Sequence, residues 1–165
     1  MSLTTKKANS ILKAVERHLS FSFIRSISVS LNYGGCGILA EELYYLFEKL
    51  GLSPKIMVIT TSPASCKDNL TSNGNNAPKR FFYHIMIEAN GKLVDTDGVY
   101  KSLSQTYEYK NMDAVEGMGI ELLRLWNADP VGWNSAFDRD LIPVIKERFN
   151  EISKILFEQY LEVSN

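Results

Sequence analysis

Cys36, Ala40, Leu43, Phe47 and Leu50 recur at i, i+4, i+7, i+11 and i+14, directly after Gly34-Gly35. That spacing predicts a helix from about Cys36 to Leu50 with one apolar face, and Gly51 follows as a residue suited to a left-handed cap. Glu41, Glu42, Glu48 and Lys49 cover the other face. A helix of this kind must bury its stripe against another layer. The cysteine is the first residue of the buried face, so it stands at a glycine-flanked helix start.

The second layer is read from the segments that follow. Leu52-Ser53-Pro54 marks a turn, and Ile56 to Thr60 is a compact apolar run suited to a buried strand. Phe81 to Glu88 reads as a strand, Asn90-Gly91 as a tight hairpin turn, and Lys92 to Thr96 as the return strand. Alternation places Phe82, His84, Met86 and Glu88 on one face, and Phe81, Tyr83, Ile85 and Ile87 on the other. With Asn90-Gly91 as the loop, Met86 lies opposite Asp95 and His84 opposite Asp97. Both carboxylates then share the histidine's face, a result that a slip of one residue would destroy.

Helices are expected at both ends. Residues 5–19 carry Ile11, Leu12, Val15 and Leu19 at helical spacing, with His18 beside the stripe as a packed or partly exposed side chain. A closing helix opens near Asp140 and runs to about Glu162, with Leu141, Ile145, Phe149, Ile152, Ile155 and Leu156 on its apolar face. Between these lie a possible strand at Ile120 to Trp126 and a long polar stretch at 61–79. The polar stretch reads as a loop, with Cys66 as an incidental surface thiol, and it borders the expected cleft as a lid or specificity element. Residues 107–118 give no signal. The expectation is one α+β domain over 1–165, with a core at about 32–100 and a C-terminal helical part at about 101–165.

Charge and cysteine usage narrow the function. A formal net charge of −1 leaves no surplus of Lys and Arg for neutralising phosphates, so nucleic acid is not an expected partner. No apolar run reaches the ~20 residues that span a bilayer, and the basic start at Lys6-Lys7 has no apolar segment behind it. An intracellular, cytoplasmic protein is expected. The two cysteines and two histidines show no zinc-ligand spacing, so neither metal nor other cofactor is expected.

The chemistry-bearing residues are Cys36, His84 and a carboxylate. A free thiol ionises near ~8.5 and is a poor nucleophile at neutral pH, but a helix N-terminus favours the thiolate. Gly34 and Gly35 leave room for a carbonyl to approach, and the same amides suit the oxyanion of a tetrahedral intermediate. A carboxylate beside His84 fixes its tautomer and supports the imidazolium formed in catalysis. Trp133-Asn134 and Phe137-Asp138-Arg139 form a polar–aromatic cluster that either shields the His–Asp pair or packs as an ordinary loop.

These segments together resemble the core of the papain-like superfamily, in particular its transglutaminase-like and arylamine N-acetyltransferase-like branches. Gly34-Gly35-Cys36-Gly37-Ile38-Leu39-Ala40 resembles the nucleophile segment, and Leu46 to Val58 the helix end, turn and strand. His84-Ile85-Met86-Ile87-Glu88 resembles the histidine strand, and Asn90-Gly91-Lys92-Leu93-Val94-Asp95 the hairpin that ends in the acidic member. The resemblance covers about 70 residues, from Asn32 to Tyr100. It selects Asp95 as third member, with Asp97 in reserve. Ile85-Met86 stand where a transglutaminase has tryptophan, and the papain oxyanion glutamine has no counterpart. Asn32 is either its replacement or a turn residue.

The resemblance implies a helix bearing the nucleophile, packed on a small antiparallel sheet. It also implies a cysteine hydrolase (peptidase, deamidase or amidase) acting on a peptide, protein or small amide through a thioacyl-enzyme. The alternatives are an acyl transferase or transglutaminase with the same triad, and an inactive papain-like binding or regulatory module.

Overall fold

The computed structural model describes residues 3–20, 35–72, 83–128 and 137–161. Among these residues the chain is an α+β fold of five helices and one five-stranded antiparallel sheet. In chain order the elements are α1 (Thr5–Ser20), α2 (Cys36–Lys49), β1 (Lys55–Thr60) and α3 (Pro63–Ser72). Then come β2 (His84–Ala89), β3 (Lys92–Val94), β4 (Val99–Tyr100), β5 (Asp113–Met118), α4 (Ile120–Ala128) and α5 (Leu141–Tyr160). The strand order is β4-β3-β2-β1-β5. No helix among the described residues is long and apolar enough to cross a membrane.

The stripe on α2 behaves as its spacing predicts. Cys36, Ala40, Leu43, Phe47 and Leu50 are all buried, and the helix packs against β2. Its C-terminus closes as a Schellman motif. The Gly51 amide donates to the Glu48 carbonyl at 3.0 Å and the Leu52 amide to the Phe47 carbonyl at 2.9 Å. Gly51 carries φ +76°, which a side chain at Cβ strains. Gly51→Ala is expected to lower stability by about 1 kcal/mol, read as a lower urea midpoint at unchanged slope.

The hairpin has the expected register. Ile87 pairs with Val94, Glu88 with Leu93 and Ala89 with Lys92, leaving Asn90 (φ 51°) and Gly91 (φ 70°) as the turn. The two strand faces separate as alternation requires. Ile85, Ile87 and Ala89, with Ile56, Val58 and Val94, join the main helical core. Met86 joins Met57, Ile59, Leu93 and Leu103 in a smaller cluster. The ladder stops at Val94, however, so the expected pairing of His84 with Asp97 does not form. His84 instead pairs with Ile59 of β1.

Four expectations are corrected. Ile120 to Trp126 is helical, because Leu123, Trp126 and Asn127 at i, i+3 and i+4 are buried while Glu121 and Leu125 face out. The fifth strand comes from Asp113–Met118, where burial of Val115 and Met118 gives only a faint pattern. The described part of 61–79 is not simply a loop: Pro63 opens a ten-residue helix at the first helical position, where its missing N–H costs nothing, and residues 73–79 lie outside the described residues. Cys66 on that helix is buried in the main core and is no surface thiol. On α5 the buried face is Ile145, Phe149, Ile152 and Leu156, while Ile155, one residue off the stripe, is exposed.

Candidate active site

Asp95 is the anchor of the site. Its side chain begins the turn that ends the hairpin, where Oδ1 accepts the Asp97 amide at 2.8 Å and the Gly98 amide at 3.3 Å. The Asp95 amide in turn donates to the Gly98 carbonyl at 3.2 Å. The first helix braces the same turn, since Glu16 Oε1 accepts the Val99 amide at 3.2 Å. An Asp side chain is suited to such a position because it reaches its own backbone two residues on. With Oδ1 occupied, Oδ2 points at His84 and meets Nε2 at 3.1 Å, both side chains being buried.

The bond to a carboxylate assigns a proton to Nε2 and leaves Nδ1 for other chemistry. Nδ1 is fully buried and completes no hydrogen bond. The Cys36 thiol, at the first position of α2, lies close enough to interact with the imidazole. Burial is the largest influence on the ring and disfavours its charge, but the Asp95 bond and the Cys36 sulfur outweigh it and raise the His84 pKa to about 10. Asp95 on one side of the ring and the Cys36 sulfur on the other thus favour its protonated form.

Gly35 is the N-cap of α2, with φ −92° and ψ −5°, and no side chain caps the first turn. The amides of that turn carry the positive end of the helix dipole toward the sulfur. The turn is braced from behind. Asn127 Nδ2 donates to the Gly37 carbonyl at 3.0 Å and to Glu41 Oε2 at 2.7 Å, while Arg139 Nη2 donates to the Asn127 carbonyl at 3.0 Å. A cleft of about 430 Å³, lined by Ile38, Glu41, Arg124, Asn127, Arg139 and Lys146 among others, opens on this side. Helical rotation from Cys36 to Ile38 puts it away from the sulfur.

The structure thus brings Cys36, His84 and Asp95 together and sets Asp97 aside. Asp97 is exposed and contributes its amide to Asp95. Asn32, Gly34, Trp133 and Asn134 lie outside the described residues. Phe137 is buried in the main core, and Arg139 serves the Asn127 brace. His18 is half-buried on α1, where burial and then Arg148 and Arg17 lower its pKa. Burial raises the Cys66 thiol, which suits a packed cysteine. No cluster of three or more His, Cys, Asp or Glu able to hold a metal occurs among the described residues.

Two neighbours of the site were not legible in the sequence. Asn127 gave no signal because its partners lie about ninety positions away, and buried Asn is recognised only by what it bonds. Tyr109, in the segment before β5, stacks on the His84 ring with centroids 4.7 Å apart and planes 8° from parallel.

Comparison with protein-family models found no match, and searches of curated proteins and of solved structures found none either.

Proposed function

We propose that this chain is a cysteine-nucleophile hydrolase of the papain/transglutaminase-like kind, with Cys36 as nucleophile, His84 as acid–base and Asp95 as orienting carboxylate. The observation that carries the reading is the buried series of thiol, imidazole and carboxylate, whose carboxylate also accepts two backbone amides on its far side. A structural His–Asp pair needs no thiol beside it, and a packing cysteine needs no imidazolium.

The substrate class is a peptide, protein or small amide. The Cys36 sulfur attacks the carbonyl carbon, forming a C–S bond while the oxygen takes the negative charge beside the first-turn amides. Collapse of the intermediate breaks the C–N bond, and His84 delivers its proton to the departing amine. Water then attacks the thioacyl carbon, giving up its proton to His84; the C–S bond breaks, its electron pair returns to the Cys36 sulfur, and the carboxylic acid product leaves, restoring the pair. An amine in place of water gives an acyl transferase with the same residues.

A second reading has one observation in its favour. Cys36 is only 3 % exposed, which suits a papain-like module that keeps the fold for binding or regulation.

Iodoacetamide labelling followed against pH, with sites assigned by mass spectrometry, separates the two. Wild-type Cys36 is expected to label readily down to about pH 6, whereas His84→Ala follows an ordinary thiol ionising near ~8.5. At pH 6.5 the variant is expected to be slower by about tenfold, because the loss of thiolate is partly offset by a more nucleophilic sulfur. Equal profiles, or no labelling of Cys36 at any pH in the folded protein, would favour the binding module.

A further inference from the structure

We propose that Tyr109 is a positioning residue that fixes the plane of the His84 imidazole by face-to-face ring contact. The inference rests on the reading of Cys36 and His84 as a reactive pair and adds a fourth residue to it. In its own plane the His84 ring meets Asp95 Oδ2 through Nε2 and has the Cys36 thiol nearby, and neither of these contacts covers the face of the ring. Its second nitrogen, Nδ1, completes no hydrogen bond. Against that face lies the phenol ring, 4.7 Å away and 8° from parallel, which opposes any tilt of the imidazole out of its plane.

The segment around Tyr109 is built to hold that ring. Thr106 Oγ1 donates to the Leu103 carbonyl at 2.7 Å and accepts the Tyr109 amide at 3.2 Å. The Met112 amide donates to the Tyr109 carbonyl at 3.0 Å. Leu103 is anchored in the cluster with Met86 and Met57, on the sheet face that strand alternation assigns to His84. A segment tied at both sides of Tyr109 and rooted beneath the histidine strand delivers one aromatic ring to one imidazole.

Stacking also has an electrostatic consequence. The face of an aromatic ring is negative, and a cation against it is stabilised. The groups facing the imidazole are Cys36 from α2, Asp95 from the turn after β3, and Tyr109, with Glu108 beside the phenol. Burial first, and then Glu108, Cys36 and Asp95, raise the Tyr109 hydroxyl far above its ordinary range, so the ring stays neutral wherever the pair is charged. The ring acts on His84 and not on substrate.

The test compares Tyr109→Phe with Tyr109→Leu. The His84 ring is read by nitrogen and carbon NMR for tautomer and titration, and Cys36 by the pH profile of iodoacetamide labelling. Phe keeps the stack, so its His84 titration and labelling profile are expected to match wild type. Leu removes the aromatic face, so His84 is expected to titrate lower and labelling at pH 6.5 to fall about fivefold. Tyr109→Met, whose flexible side chain fills similar space, is read the same way if the Leu variant does not fold. A folded Leu or Met variant with wild-type His84 titration overturns the proposal, as does a Phe variant as impaired as Leu, which would assign the effect to the hydroxyl. The imidazole is read independently of sulfur reactivity. If wild-type Cys36 proves unactivated while Leu still frees the ring, the positioning role stands and the hydrolase reading falls.

Discussion

Cys36→Ala is expected to abolish turnover of activated thioester and anilide substrates, with a loss of about 10⁴-fold or more relative to wild type. The reason is that every step of the proposed cycle passes through a bond to this sulfur. The imidazole and the first-turn amides remain in place but have nothing to activate. Intact-mass measurement after brief exposure to such a substrate is the direct readout. Wild type should carry one acyl group, mapped to Cys36, and the variant none. Cys66 serves as an internal control, because it is buried in the core and its thiol is raised by that burial. An adduct that persists in Cys36→Ala would place the nucleophile elsewhere and end the triad reading. Because alanine fills the site with a smaller apolar group at the start of a helix, the fold is expected to survive and the comparison to be clean.

Asp95→Ala is expected to be among the most destabilising single substitutions in the chain, costing about 3–5 kcal/mol near neutral pH. It leaves an imidazolium in the interior without its carboxylate and strips the Asp97 and Gly98 amides of their acceptor. Asp95→Asn is a sharper probe. The native carboxylate accepts at both oxygens, Oδ2 from His84 and Oδ1 from the two amides. A carboxamide has only one oxygen, so either His84 or the turn meets a donor instead. The expected cost is about 1–3 kcal/mol, the penalty of a buried donor left unmet.

The pH dependence carries its own sign. The folded-state pKa of His84, about 10, lies above its ordinary 6.5, so the native state holds this proton more tightly than the unfolded chain does. The stabilisation from His84 is fully present below about pH 6.5 and is lost as pH rises through about 10. The gap in urea stability between wild type and Asp95→Ala should therefore narrow over that window. A gap that stays flat across that window would mean that the histidine is buried neutral.

Much of the site was legible in the sequence because its parts are local. The apolar period of α2 put Cys36 at a helix start and on the buried face, and the Asn90-Gly91 turn set a register that put Asp95 on the histidine's side of the hairpin. Both depend only on periods of 3.6 and 2 and on a turn that tolerates positive φ. The choice of Asp95 over Asp97 was not decided by register, which favoured Asp97 as the direct partner. It was decided by a turn in which the Asp95 side chain captures the two following amides and stops the ladder at Val94.

Where periodicity was weak, local reading failed. Ile120 to Trp126 carries Leu at adjacent positions and fits either period over seven residues, and only packing of Leu123 and Trp126 into the helical core makes it a helix. The strand Asp113–Met118 buries just Val115 and Met118, and it exists because β1 offers it an open edge. Tyr109 and Asn127 are further cases: nothing near them in the chain marks them out.

The sequence alone therefore determined the elements with strong periods, the tight hairpin, and the order of thiol, imidazole and carboxylate along the chain. Only the tertiary structure decided which carboxylate meets the imidazole, which aromatic ring lies against it, and what braces the nucleophile's turn. Those choices are contacts between residues from about ten to ninety positions apart, and their energies depend on burial and geometry that no local pattern encodes.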